Sequence, residues 1–271
     1  MTTAQKIIKY LAIAFAIFLI VTIISTILVA MYGFANVLGL RRNNNEVLGE
    51  MKIFEIRQDE VKRLDIEVAY TNLIIKTGES LKVETNNNKI ECKKSNTHIQ
   101  IKEKNRNCFS GNNEGNLIVY IPQNLEFEEV KIDAGAGKIT IESLNTKNLK
   151  FVLGAGGAEI DNLNVTKDCE IDGGAGNINI LSGIINNLDL DMGIGEVNLA
   201  ATLEGKNDIN AGIGNLNIML QGNKEKYEIK TKKGLGSVKV DGREMENNQV
   251  FGDGENYIEI DGGMGSIKVD F

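Results

Sequence analysis

Tryptophan is absent from this sequence, proline occurs once, at Pro122, and histidine once, at His98. Each shortage removes a class of function. A single histidine excludes multi-histidine metal centres and argues against a histidine-based catalytic triad. Without tryptophan, and with 6% aromatic residues, there is little surface on which sugars could stack. The three cysteines, Cys92, Cys108 and Cys169, are too few for a disulfide framework. Pairing of Cys92 with Cys108 stays open, and Cys169 falls on an inward parity that reads as a buried thiol. Twenty-nine glycines accompany the lone proline. A disordered linker would carry both residues, so the glycines point instead to tight turns at fixed places.

Charge is also missing where it would be expected. From Tyr10 to Leu40 no residue is charged, and Leu11–Ala30 is almost entirely aliphatic or phenylalanine. About 20 such residues cross a bilayer as a helix. The sequence therefore predicts a polar tail at 1–9, a transmembrane helix at 10–35, a linker at 36–50 containing Asn43–Asn45, and one domain over 51–271. A cleaved signal peptide is the rival reading, with Gly33-Phe34-Ala35 as its small-residue site, but the apolar run is longer than a signal core. Lys6 and Lys9 on one side nearly balance Arg41 and Arg42 on the other. An all-β, glycine-turned body suits export, so the expected location is the cell membrane with the C-terminal domain outside. Beyond residue 40 the chain holds 28 basic and 37 acidic residues. That balance repels nucleic acid and anionic lipid.

What is present is a repeat. Apolar-x-apolar, a glycine turn and apolar-x-apolar recur from Val130 onward. The turn glycines are Gly135/Gly137, Gly174/Gly176, Gly193/Gly195, Gly212/Gly214, Gly234/Gly236 and Gly263/Gly265, with a variant at Gly156/Ala158. Successive turns lie 21, 18, 19, 19, 22 and 29 residues apart. Of the 21 positions that flank these turns in register, 19 are aliphatic, and Asn162 and Thr231 are the exceptions. Period-two alternation makes each run a strand with one buried face. A short strand pair cannot bury that face alone, so equivalent strands of consecutive ~20-residue rungs must stack. The fold class is all-β: a single-domain β-solenoid, right-handed and parallel β-helix-like, after one transmembrane helix. Glycine is required at the turns for positive φ or for close approach of neighbouring rungs. On this reading Gly193→Val is damaging, whereas Gly252→Ala, in an irregular insertion, is mild.

An earlier rung without glycine uses Leu64, Ile66, Leu73 and Ile75, with Ala69 and Thr71 at the turn. Strand-like stretches at 81–84, 89–93, 98–102 and 117–121 complete a less regular, membrane-proximal cap.

Leu117–Pro122, followed by Val130–Gly137 and Ile171–Ile178, resembles the bacterial "putative adhesin" β-strand-repeat family, a domain of unknown function common in Gram-positive bacteria. The resemblance covers about residues 50–271. It implies a β-solenoid, often membrane-anchored, and brings no catalytic residues.

Other chemistry reads weakly. Gly154–Gly157 has the look of a nucleotide loop, but it leads into a strand where phosphate binding needs a helix. At Gly173–Ile178 a calcium β-roll would need an aspartate where Ile178 stands. Asp133, Asp172, Asp191 and Asp261, with Asn210 between, precede the first turn glycine by two residues and are expected to cap turns. Stacked like charges at Asp172 and Asp191 leave a shared cation as the alternative. His98 is expected on the exposed side of a polar strand. No enzyme, cofactor, metal or small-molecule substrate is expected. The function predicted is a non-catalytic, membrane-anchored surface solenoid, adhesin-like or envelope-sensing. Its partners are the bilayer, through the N-terminal helix, and a protein or cell-wall component. The alternative is a cytoplasmic, membrane-tethered scaffold that polymerises end to end.

Overall fold

In the computed structural model, which describes residues 50–56, 61–104 and 115–271, alternating apolar residues form strands throughout. The chain runs through β1 (Lys52–Glu55), β2 (Arg63–Val68), β3 (Asn72–Gly78), β4 (Lys82–Thr85), β5 (Ile90–Ser95), β6 (His98–Glu103) and β7 (Asn116–Pro122). It continues through β8 (Phe127–Ile180), β9 (Gly183–Asn186), β10 (Leu188–Glu204) and β11 (Lys206–Leu220). After a 3-10 turn at Lys224–Lys226 come β12 (Tyr227–Lys232), β13 (Leu235–Val240), β14 (Arg243–Glu244), β15 (Gln249–Phe251) and β16 (Asn256–Asp270). All 16 strands join one sheet. Strand β8 is not straight; its hydrogen bonding to neighbouring rungs simply continues around the bends. Among the described residues no helix is long and apolar enough to cross a membrane. The expected span at 10–35 lies outside the described residues.

Rungs stack in parallel, as the repeat requires. Leu190, Asp191, Val197 and Leu199 of β10 stand beside Ile171, Asp172, Ile178 and Ile180 of β8 on one side. On the other side they meet Ile209, Asn210, Leu216 and Ile218 of β11. The inward side chains form one core in which every flanking position aligned from the sequence is buried except Asn162. Outward amides stack too: Asn217 Nδ2 donates to Asn198 Oδ1, and Asn198 Nδ2 to Asn179 Oδ1, each at 2.8 Å.

The exception at Asn162 has a simple cause, and it corrects the expected register of one rung. A Cβ on Gly154 would meet the carbonyl oxygen of Gly135 at 2.5 Å, and one on Gly156 would overlap that of Gly137. The turn is therefore Gly154/Gly156, not Gly156/Ala158. Gly135, Gly154, Gly174, Gly193 and Gly212 lie 19, 20, 19 and 19 residues apart. Ala158 and Ile160 fill the inward slots, while Asn162 bonds Ser143 Oγ (3.3 Å) at a corner. The same 20-residue offset puts Cys169 at the rung position of Leu149. A slip of two residues leaves every side chain on the same face, which is why alternation alone did not expose it.

The order of rungs is also not the order of sequence. Strand β16 lies between β11 and β12/β13: Ile260 pairs with Ile209 on one side and Thr231 on the other. The Gly234/Gly236 rung is therefore terminal, and the Gly263/Gly265 rung is slotted in beneath it. The N-terminal end repeats the device. Strands β2 and β3 sit between β8 and the β6/β7 rung, with Ile66 facing both Ile132 and Ile101. Both ends are closed by strands that run against the stack. At the first end β4 is antiparallel to β7, β1 to β4 and β5 to β6. At the other, β15 is antiparallel to β12 and β14 to β13. Thr231, the second exception, is fully buried there, with its hydroxyl near the Glu246 and Gln249 carbonyls (3.5 and 3.4 Å).

Candidate functional site

The glycine bends divide their labour. The second glycine of six bends (Gly137, Gly156, Gly176, Gly195, Gly214 and Gly265) has φ of 126° to 149°, a region L side chains rarely enter. The first glycine has no such φ; it is there for proximity. At Gly193 a Cβ would stand 2.5 Å from the Gly174 carbonyl oxygen, so Gly193→Val is damaging by obstruction and not through φ. Gly236 is likewise a close-approach glycine against Gly265. Gly252 overturns the expectation of tolerance. Its φ is 76°, and a Cβ there would overlap the Tyr227 carbonyl oxygen.

Because glycine has no side chain, each column of first glycines leaves a trench in the surface. It holds about 560 Å³ and crosses five rungs, from Val152–Gly154 to Asp261–Gly263. One wall is the predicted acid column. Asp172, Asp191, Asn210 and Asp261 are direct neighbours in register, with Lys232 next. Capping is not what the hydrogen bonds of Asp191 and Asp261 provide. Asp191 accepts from Asn210 Nδ2 at 2.8 Å, across rungs, and Asp261 faces Lys232 Nζ at 3.9 Å. Among the described residues Asp172 accepts from no turn N–H either; its charge acts on Lys150. Asp133 begins the column beside Glu67. A residue that does cap a bend is one the sequence did not suggest, Glu103. It caps the glycine-free rung, accepting from Ala69 N at 2.7 Å, Tyr70 N at 3.2 Å and Asn87 Nδ2 at 3.1 Å.

Two residues earlier on the same face lie Glu170, Asp189, Asp208 and Glu259, again neighbours in register. Lys150 pairs with Glu170, and Lys230 and Lys232 with Glu259. The lysines hold Glu259 down at about 2. Asp189 has no cation among the described residues; partial burial and then the charges of Asp191, Asp208, Glu170 and Asp172 raise its carboxyl above the usual value. A raised folded-state value means the ionised form opposes folding, a penalty absent at low pH and present once pH passes that value. Asp189→Asn is therefore expected to raise the melting temperature at pH 7 and to leave it unchanged near pH ~3. Equal shifts at both pH values would contradict like-charge repulsion.

One residue beyond the trench's glycine column the chain is apolar on every rung. The residue between the two glycines of each bend is Ala136, Ala155, Ala175, Ile194, Ile213, Met264 or Leu235 in stacking order. The last four are large and lie 57%, 45%, 43% and 79% exposed on four adjacent rungs. Its sequence signal is an apolar residue between every glycine pair.

The remaining candidates lie elsewhere. His98 is half-buried, not free in solvent, with Nε2 2.8 Å from Asp65 Oδ2 on the adjacent strand. Cys169 is buried, and burial pushes its thiol up; the half-buried Cys92 thiol is pushed up to about 11. Both are poor nucleophiles at neutral pH. Cys108, and with it the Cys92–Cys108 pairing, lies outside the described residues. Among the described residues no group of three or more His, Cys, Asp or Glu side chains is placed to hold a metal ion.

The sequence that folds in this way matches the Toastrack DUF4097 family model over residues 61–253. The chain belongs to that family. Solved structures similar to this Toastrack chain include a "putative cell adhesion protein" from Clostridium sporogenes ATCC 15579 (17% identity, 82% of this chain and 98% of that one, TM-score 0.40). Another is a "putative adhesin" from Bacteroides fragilis NCTC 9343 (10% identity, 81% and 97%, TM-score 0.39). No curated protein matches the sequence.

Proposed function

We propose that this Toastrack chain is a non-catalytic interaction module, tethered to the cell membrane by its N-terminal segment and displayed outside the cell in an adhesin-like or envelope-sensing role. The observation that carries the reading is the apolar ladder of Ile194, Ile213, Met264 and Leu235. Large exposed apolar side chains are ordinary when scattered, but a contiguous line of them marks an interaction surface. The uncharged run from Tyr10 to Leu40 supplies the tether. Polymerisation end to end is the weaker reading, because antiparallel strands at both ends prevent one stack from continuing in register into another.

Display is tested with a site-specific protease sequence placed in the Asn43–Asn45 tether. Membrane-impermeant protease added to intact cells is expected to release the domain. Release only after permeabilisation would put the solenoid inside the cell.

A further inference from the structure

The acidic flank, the trench and the apolar ladder one residue beyond its glycines run side by side along the stack, as one strip. We propose that this strip docks a basic amphipathic peptide segment of a partner protein, laid along the solenoid axis across the strands. The proposal rests on the interaction-module reading and names the chemistry of the partner.

Three features select that occupant. First, apolar and acidic columns run side by side over the same rungs. Ile194, Ile213 and Met264 belong to the rungs that carry Asp191, Asn210 and Asp261, so one ligand reaching both must offer apolar and cationic groups on adjoining faces. Second, the acids are under-compensated: among the described residues Asp172, Asp189 and Asp208 have no salt-bridge partner, whereas Glu170 and Glu259 do. A cationic ligand would relieve the repulsion that raises the Asp189 carboxyl. The same charge disfavours an anionic lipid surface, and it disfavours a second copy of this strip, which would bring like charges together. Third, the dimensions agree. Four rungs at ~4.8 Å make a ladder about 14 Å long. A helix covers that length in about ten residues, so apolar residues three and four apart fall close to the spacing of the ladder. Strand addition at the sheet edge is a different mode, which would use neither column.

The test uses the full chain in zwitterionic lipid nanodiscs and a labelled Lys/Leu peptide of about 15 residues patterned with helical periodicity. A scrambled peptide of identical composition is the control, and fluorescence anisotropy the readout. The patterned peptide is expected to bind and the scrambled one to bind at least about tenfold more weakly. The Ile194→Ser/Ile213→Ser variant should weaken binding about tenfold without lowering the melting temperature. The Asp172→Asn/Asp189→Asn variant should weaken binding and flatten its salt dependence. Equal binding of both peptides, undiminished binding by the serine variant, or no binding would overturn the proposal. Self-association of the wild-type chain that the serine variant abolishes would do the same and assign the strip to a second copy. If the peptide fails to bind while the tether is cleaved on intact cells, the displayed module stands and only this partner falls.

Discussion

Gly195→Ala is expected to lower the melting temperature by roughly 10 °C, a loss that Gly214→Ala and Gly265→Ala should match. Two costs coincide at this position. With φ at 145° the backbone lies where an L side chain is strained, at about 1–3 kcal/mol. The new Cβ would also overlap the carbonyl oxygen of Gly176, a backbone atom of the adjacent rung. It has nowhere to move without separating two rungs. Gly222→Ala is the matched control: its φ is 99°, but nothing lies within 4 Å of the added carbon. That variant should lose about 1 kcal/mol, from φ alone. Thermal melts followed by circular dichroism separate the two, and equal losses would mean that rung stacking does not depend on the glycine column.

Deleting residues 256–271 is expected to abolish cooperative folding of the C-terminal rungs. Strand β16 has neighbours on both sides, β11 on one and β12 and β13 on the other. Its removal takes Ile258, Ile260, Ile267 and Val269 out of the core. At about 1.5–3 kcal/mol each, their burial rivals the total stability of an ordinary domain. The deletion also strands β12–β15, whose link to the stack runs through β16, and bares the edge of β11 as a site for aggregation. A synthetic peptide of the deleted residues should restore the melting transition in a concentration-dependent way, as expected for a ligand of the folded state. A truncated chain that melts like the intact one would overturn the interleaved order.

The solenoid was legible because its physics is periodic. Ile178, Val197 and Leu216 share one spacing and one fate, and alternation places all three in the core. The slip around Gly154 was not legible in alternation, since two residues is one full strand period; only the carbonyl contacts between glycines fix it. The interleaving was hidden for another reason. Parallel pairing of Leu216 with Val238 or with Ile267 satisfies the same pattern. The choice follows quality of fit: the fully aliphatic strand goes inside, and the rung carrying Thr231 goes to the end, where cap carbonyls receive its hydroxyl. At the candidate site the acids were noticed, but their role was assigned locally. Asp191 reaches a neighbour 19 residues away in sequence through register, which local turn chemistry does not contain. The apolar ladder was passed over because its members stand one per bend, each looking like a spacer between glycines.

The tucked-in position of β16 also bears on how the protein is made. On a ribosome, rungs up to β11 can stack as they emerge, each on a strand already made. Residues 227–251 cannot join them on arrival, because the strand they rest on has not yet been translated. They must wait in the open until Asn256–Asp270 clears the exit tunnel, and only then does the far end close in one step. A nascent chain stalled in that interval would present an unpaired β11 edge and a loose hairpin, a form that quality-control factors could tell from the finished one.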